Sequence, residues 1–418
     1  MTSTNATTTA MPPAGTLPAG TLPLSTQPSR LFAAGPRADA ARHVARFGPV
    51  PGATGLVEAL RASGLTGRGG GAFPVSRKID ALAGPPATII ANGSEGEPLS
   101  RKDATLLEHA PHLVIDGLVL LAAAVGPRAR LVVMAHPDGA DSVRRALLER
   151  RDGGEIEVRV AEDRFVAGEA TAVVAGLSGA PATPKDHPVH LTERGVGRRP
   201  TLLFNVETLA HIALIARYGA EWFRSSGTAD DPGTRLLSVG GDGVAEQVVE
   251  VAGGSRLAEV LTAIGVVPAS LRAALVGGFH GRWIAAGDFG GRLVARPAEG
   301  GSDDGDIAAG AGVVLLLGTA SCGLRVSASI LDYLAAESAG QCGPCVLGLP
   351  RLSRRFAEYS SGRDHDPSGV GYLLDTIPGR GACHHPDGTV SLARSALAVF
   401  TGELDRHRSG SCSEGGLA

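Results

Sequence analysis

Cys342 and Cys345 are separated by two residues in Gln341-Cys342-Gly343-Pro344-Cys345, and a third thiol, Cys383, follows in Gly381-Ala382-Cys383-His384-His385. A short Cys-x2-Cys run with a distant third cysteine has ligand spacing: the near pair grips one face of an iron-sulfur cluster and the distant thiolate closes it. Zinc competes, because the three thiols with His384 or His385 would also complete a Cys3His tetrahedron. A thiol-disulfide motif is a third reading. That motif expects a strand opening into a helix, whereas this one interrupts a helical pattern.

Four further segments carry candidate polar groups, three of them beside glycine. Gly64-Leu65-Thr66-Gly67-Arg68-Gly69-Gly70-Gly71 precedes Lys78. Successive glycines let backbone N–H groups approach an anion without Cβ clashes, and Arg68 and Lys78 would complete a phosphate cradle. The run matches neither a P-loop nor a strand-borne dinucleotide fingerprint. Asn92-Gly93-Ser94-Glu95-Gly96-Glu97-Pro98 follows an apolar run. There Asn92 could hold an amide-bearing ring, and Glu95 and Glu97 could accept from sugar or ribityl hydroxyls. Gly168-Glu169 and Asn205 to Thr208 are the remaining two, each at the start of a helical pattern. Taken singly, each of the four reads equally well as a turn, a cap or packing.

Positioning these residues requires several elements. Apolar runs at 88–92 and 130–135 suit strands buried on both faces, and 140–151 reads as a helix after the second. This predicts an α/β domain with a largely parallel sheet over 39–225. After the turn-rich break at 227–233 the pattern changes to short alternating strands at 235–239 and 246–251, a helix near 256–264 and a strand at 273–276. That order predicts a small β-grasp domain over 226–300, closed by the glycine and acid loop at 300–305. Helical spacing beyond Cys322 and again from Leu392 to Phe400 predicts a C-terminal helical bundle over 301–405. The ends, 1–38 and 406–418, read as disordered tails.

Composition narrows the function. The 418 residues carry a net charge of −3 with a pI near 6.5 and no basic stripe interleaved with aromatics, which argues against nucleic acid as a partner. Five cysteines are too few for a disulfide scaffold. The longest apolar run, 113–125, is too short to span a bilayer and contains Asp116. The start lacks a basic segment followed by an apolar one, so the expected location is cytoplasmic, peripheral to a membrane only through a partner. Of 39 basic residues only Lys78, Lys102 and Lys185 are lysine, a hint that the first two sit where a compact ammonium is needed.

In their joint order these segments resemble the flavin-bearing, NADH-oxidising subunit of respiratory complex I and its hydrogenase and formate dehydrogenase relatives, from about residue 56 to 400. The resemblance implies an FMN-binding parallel-sheet domain, then a β-grasp domain of the soluble ligand-binding type, then a bundle holding a [4Fe–4S] cluster. It places Gly67, Arg68, Gly69, Gly70 and Lys78 near the flavin phosphate and the nicotinamide cofactor. Asn92, Glu95, Gly168, Glu169, Asn205 and Thr208 fall around the FMN, and Glu97 near the NAD(H). Glu97 and Lys78 thereby become the candidate catalytic groups, and Cys342, Cys345 and Cys383 the metal ligands. Implied partners are an electron acceptor, either ferredoxin-like or a membrane redox protein, within a multisubunit complex.

Departures from the family pattern cluster at these places. Ala339 stands where the first of four cluster cysteines is expected, which leaves three ligands and admits a [3Fe–4S] cluster or a four-iron cluster with one other ligand. Ser94 replaces an Asp, Phe165 a Tyr, Ala170 a Glu and Phe204 an Asn, and Ile79 stands where an aromatic is usual. The alternative to an NADH dehydrogenase-like activity is a non-catalytic scaffold of the same fold that has lost both flavin and cluster.

Overall fold

The computed structural model describes residues 24–150, 155–186, 189–297 and 305–415. The first layer is built from β1 (Thr88–Gly93), α1 (Lys102–His109), α2 (Pro111–Val125), β2 (Arg130–Ala135), α3 (Pro137–Leu148), β3 (Ile156–Val160), α4 (Ala170–Leu177), β4 (Thr201–Asn205) and α5 (Val206–Arg224). All strand pairs are parallel, in the order β3-β2-β1-β4. Ile89, Ile90 and Ala91 are fully buried although they alternate between faces, as the unbroken apolar run requires. The chain steps outward from β1 to β3, then returns to lay β4 on the other flank of β1. The strand order therefore reverses between β1 and β4, the place where open α/β sheets hold ligands beyond the carboxyl ends of their strands.

The apolar run at 113–125 becomes α2, packed against α5 so closely that a Cβ on Gly117 would meet Leu209 O at 1.9 Å. It is a core helix, and among the described residues no single helix is long and apolar enough to cross a membrane. α3 begins earlier than its periodicity suggested because Pro137 opens its first turn. Arg151, the expected end of that helix, lies outside the described residues.

The second unit contains β5 (Thr234–Gly241), β6 (Val244–Ala252), α6 (Leu257–Ala263), β7 (Leu271–Val276), β8 (Arg282–Ala285) and β9 (Val313–Gly318). β9 is central, parallel to β5 and antiparallel to β7. Two sequence expectations are corrected here. The boundary at 300 is too early, because 313–318 completes this sheet and is not part of the bundle. The tail is not disordered over 24–38: Leu24–Ser25 pairs with β6, Leu31 and Phe32 are buried, and Ser29 and the Arg30 backbone donate to Glu250. Residues 1–23 and the loop at 300–304 lie outside the described residues.

The third unit is the helical bundle α7 (Gly323–Ala336), α8 (Leu349–Ser360), α9 (Ser368–Thr376), α10 (His385–Val399) and α11 (Thr401–Arg408). Its core joins Ile330, Leu334, Leu352, Phe356, Leu392 and Phe400 with Trp283 of β8. Cys412 packs against this core, so the expected C-terminal tail is ordered through 415.

Candidate functional site at the strand-order reversal

Asn92 and Asn205 are register partners at the carboxyl ends of β1 and β4. Asn205 Nδ2 donates to Asn92 O at 3.3 Å, and Asn205 Oδ1 caps α5 by accepting from Glu207 N at 2.9 Å. Asn92 Nδ2 donates to Gly168 O at 3.0 Å, drawing in the loop before α4. The glycine loop arrives from the other side. The Arg68 backbone N–H donates to Thr208 Oγ1 at 2.9 Å, a Cβ on Gly69 would lie 3.2 Å from Asn205 Cβ, and Gly70 has φ +99°. Gly67 closes the loop by donating to Phe73 O at 2.9 Å. Four segments separated in sequence thus converge at one point.

The charged residues behave differently from their sequence assignments. Glu95 is wholly committed to α1: Oε1 accepts from Ser100 Oγ at 2.6 Å and Asp103 N at 2.9 Å, and Oε2 from Ala104 N at 2.8 Å. It caps that helix. Arg68 turns its guanidinium toward the second unit, donating to Pro232 O and Thr66 Oγ1, each at 3.0 Å, with Asp231 at 3.8 Å. Burial pushes its pKa down to about 10. Its backbone N–H, not its side chain, faces Thr208 at the start of α5. Glu169 caps α4 through Thr171 N at 2.8 Å and also accepts from the Thr171 hydroxyl.

Two groups hold unspent capacity. Glu97 is half-buried, but its carboxyl is enclosed: Oε2 accepts from Phe279 N at 2.8 Å, while Oε1 is out of solvent and has no partner among the described residues. Burial raises its pKa to about 8. Ser94 Oγ is likewise buried and unpartnered. Lys78 donates to Leu203 O at 2.6 Å, lies 5.1 Å over the Phe204 ring, and is pushed by burial down to about 8. Lys102, noted in the sequence only as one of three lysines, proves to be a buried hub at 2.6 Å from Asp103 and 3.0 Å from Glu207. Burial opposes its charge, but the two carboxylates hold its pKa above the ordinary value.

Cys342 Sγ and Cys345 Sγ are 3.5 Å apart, and Cys383 lies in their neighbourhood, near enough for charge on one thiol to affect the others. The backbone amides of Gly340, Ala382 and His385 lie near Cys345, Cys342 and Cys383 respectively and favour their thiolate forms. Amide groups close to sulfur also favour a bound cluster. Neither histidine joins them: the His384 ring is solvent-exposed beside Asp387, and His385 uses Nδ1 toward His280 at 3.0 Å and Nε2 toward Leu334 O at 2.8 Å. Cys322 cannot supply a fourth thiolate either. It precedes α7 while Cys342 follows it, and fourteen residues of helix separate them by about 20 Å at 1.5 Å rise.

The thiols and the strand-end loops are neighbours. Phe165 N donates to Glu337 Oε2 at 3.1 Å, tying the loop before Gly168 to the loop before Cys342. The Phe165 ring packs edge-on against His280, Tyr333 and His385, so all three units meet here.

This geometry agrees with what known proteins show. Residues 60–214 match the Nuo51 FMN-binding domain, and residues 325–407 match the NADH-ubiquinone oxidoreductase-F iron-sulfur binding region. The chain is a divergent member of the family of flavin-bearing, NADH-oxidising subunits. It is 29% identical to an NADH-quinone oxidoreductase subunit of Rhizobium meliloti over 84% of this chain and 88% of that one. It is 30% identical to the NAD-reducing hydrogenase HoxS subunit alpha of Cupriavidus necator over 74% of this chain, but spans only 52% of that protein. A solved NAD+-reducing [NiFe]-hydrogenase chain superposes with a TM-score of 0.76 at 26% identity, covering 85% of this chain and 63% of that one.

The chain's own residues can be tested against the two groups. For FMN they fit: without a Cβ, Gly69 lies close against Asn205 and Gly70 close against the Gly310–Ala311 backbone, and the Ser94 hydroxyl is an orphaned polar atom at the strand end. For the cluster three sulfurs with backbone N–H support fit, one thiolate short of four.

Proposed function

We propose that this chain is an electron-transfer protein that oxidises NADH at the junction of β1 and β4 and delivers electrons to the site of Cys342, Cys345 and Cys383. When bound, FMN accepts a hydride as an electron pair and releases electrons singly, which is why it can stand between NADH and a one-electron centre. The supporting observation is the hydrogen bond from Phe165 N to Glu337 Oε2 at 3.1 Å, which ties the loop before Gly168 and Glu169 to the segment that leads into Cys342. Gly67, Gly69 and Gly70 would let backbone N–H groups reach the phosphate. Asn92, Gly168, Asn205 and Thr208 would fix the loops around the ring. Lys78 would hold positive charge near the cofactors, and Glu97, with its enclosed and unpartnered Oε1, would hydrogen-bond NADH. The acceptor would be a ferredoxin-like or membrane-associated redox protein in a larger complex, in keeping with relatives that are themselves parts of multisubunit enzymes.

Anaerobically purified full-length protein should be coloured, with flavin absorbance near ~450 nm that bleaches on addition of NADH. Colourless, iron-free protein would overturn this reading and leave a scaffold of the same fold.

A further inference from the structure

At the far end of α7 from the three thiols lies a second constellation that electron transfer does not use. Cys322, at the N-cap of α7, is fully buried. Glu403 and His407 stand one turn apart on α11, sharing a face, and both are buried. Cys412 reaches the same place from the segment after α11. The four ligand atoms all lie within 4.8 Å of one another. His407 Nε2 is 3.5 Å from Cys322 Sγ and 3.4 Å from Glu403 Oε1.

The surroundings are those of a metal site. His407 Nδ1 bonds Ser360 O, which places the ring proton on Nδ1 and turns the Nε2 lone pair toward Cys322 and Glu403. Holding the second ring nitrogen on a backbone carbonyl is how ligating histidines are oriented. Glu403 Oε2 accepts from Arg272 at 2.7 Å and Arg406 at 2.8 Å, and Oε1 from Ser413 N at 2.7 Å. The segment carrying Cys412 is anchored again by Glu414, which accepts from Cys322 N at 2.9 Å.

We propose that Cys322, Glu403, His407 and Cys412 bind one zinc ion in a structural site that fastens the C-terminal segment to the start of the bundle. Two thiolates, an imidazole and a carboxylate oxygen make a closed four-ligand set, which suits tetrahedral zinc with no position left for water. The ligands carry three negative charges against two on the metal, and Arg272 and Arg406 on Glu403 offset the remainder. The site stands independently of the flavin reading and is separated from the three-thiol site by the length of α7.

The test uses the full chain with Cys342, Cys345 and Cys383 all changed to Ser, so that no iron-sulfur cluster competes for metal. Elemental analysis after gel filtration should find about one zinc per chain, and Co2+ exchanged for it should give thiolate-to-cobalt charge transfer with intense visible bands of tetrahedral cobalt. Cys322→Ser and His407→Ala should each abolish the cobalt spectrum, and Cys412→Ser should weaken it. In the unsubstituted chain zinc should stay near one equivalent whatever the iron content, a readout that needs no variant to fold. Zinc below about a tenth of an equivalent in both proteins, octahedral cobalt, or a Cys322–Cys412 disulfide in protein purified from zinc-replete cells would each overturn the proposal.

Discussion

Glu97 Oε2 accepts a hydrogen bond from the backbone N–H of Phe279, 182 residues away, so one buried carboxyl joins the strand-end loop of the parallel sheet to the turn after β7. The turn is shaped for it. Gly278 has φ +84°, and a Cβ there would lie 2.5 Å from Glu97 Oε2. The loop and the second unit therefore share a titratable contact.

That contact sets a pH dependence. Burial raises the Glu97 pKa from 4.5 to about 8, so between those values the folded chain holds a proton that the unfolded chain has lost. Stability from this group is full below about pH 4.5 and declines as pH rises toward 8. Glu97→Gln keeps an acceptor for Phe279 and removes the titration. The variant should match the parent near pH 5 and exceed it by on the order of 2–4 kcal/mol at pH 8. Urea denaturation at both pH values checks this, and parallel profiles for the two proteins would refute it.

Lys102 should be among the least replaceable residues. Its ammonium lies between Asp103 and Glu207, and Glu207 in turn accepts from Leu236 N of β5 at 2.9 Å. Lys102→Met would leave two buried carboxylates without a counter-charge, at a cost of about 3–5 kcal/mol. The midpoint of denaturation should fall accordingly, with Lys102→Arg giving partial recovery. A loss below about 1 kcal/mol would show that water or a counter-ion replaces the ammonium.

The sequence made the parallel sheet legible because β1 and β2 are unbroken apolar runs, while only the family resemblance grouped Asn92, Gly168, Asn205 and Thr208, which the fold brings together. It could not reveal Glu95 as a helix cap. A carboxylate eight residues before Asp103 carries no capping signature, and only the fold of the 96–101 loop brings them together. β9 was missed for a different reason: Val313 to Leu317 is apolar without alternation, and its place in a sheet is fixed by partners 75 residues earlier on β5. The Glu403, His407, Cys322 and Cys412 cluster was equally hidden. The i,i+4 Glu–His pair was visible, but its thiols come from two distant segments.

Gly69 is the cleaner probe of the flavin cradle. Gly70 has positive φ and faces the Gly310–Ala311 backbone, so a side chain there would strain the fold as well. Gly69 has ordinary φ, and its Cβ would press only on the Asn205 side chain at 3.2 Å. Gly69→Val should stay folded by circular dichroism and lose at least about tenfold in FMN affinity, because the branched side chain would push Asn205 out of its place at the strand end. FMN fluorescence quenching gives the affinity directly. An unchanged value would move the phosphate away from this loop.

The cluster should be the most fragile part of the chain. Cys342, Cys345 and Cys383 are gathered with N–H donors around them, yet Ala339 contributes no ligand and both nearby histidines are turned elsewhere. An iron without a protein thiolate exchanges readily, so oxygen should convert a four-iron cluster to a three-iron one. Each of Cys342→Ser, Cys345→Ser and Cys383→Ser should abolish iron incorporation, whereas Cys412→Ser should leave it intact, since Cys412 packs with the far end of the bundle. Ala339→Cys should slow the conversion in air by about an order of magnitude, because the fourth iron would gain a thiolate ligand. Iron and sulfide content after anaerobic reconstitution, followed by the growth of the three-iron electron paramagnetic resonance signal in air, measures both effects. Equal conversion rates in the parent and Ala339→Cys would mean that the parent already supplies a fourth protein ligand.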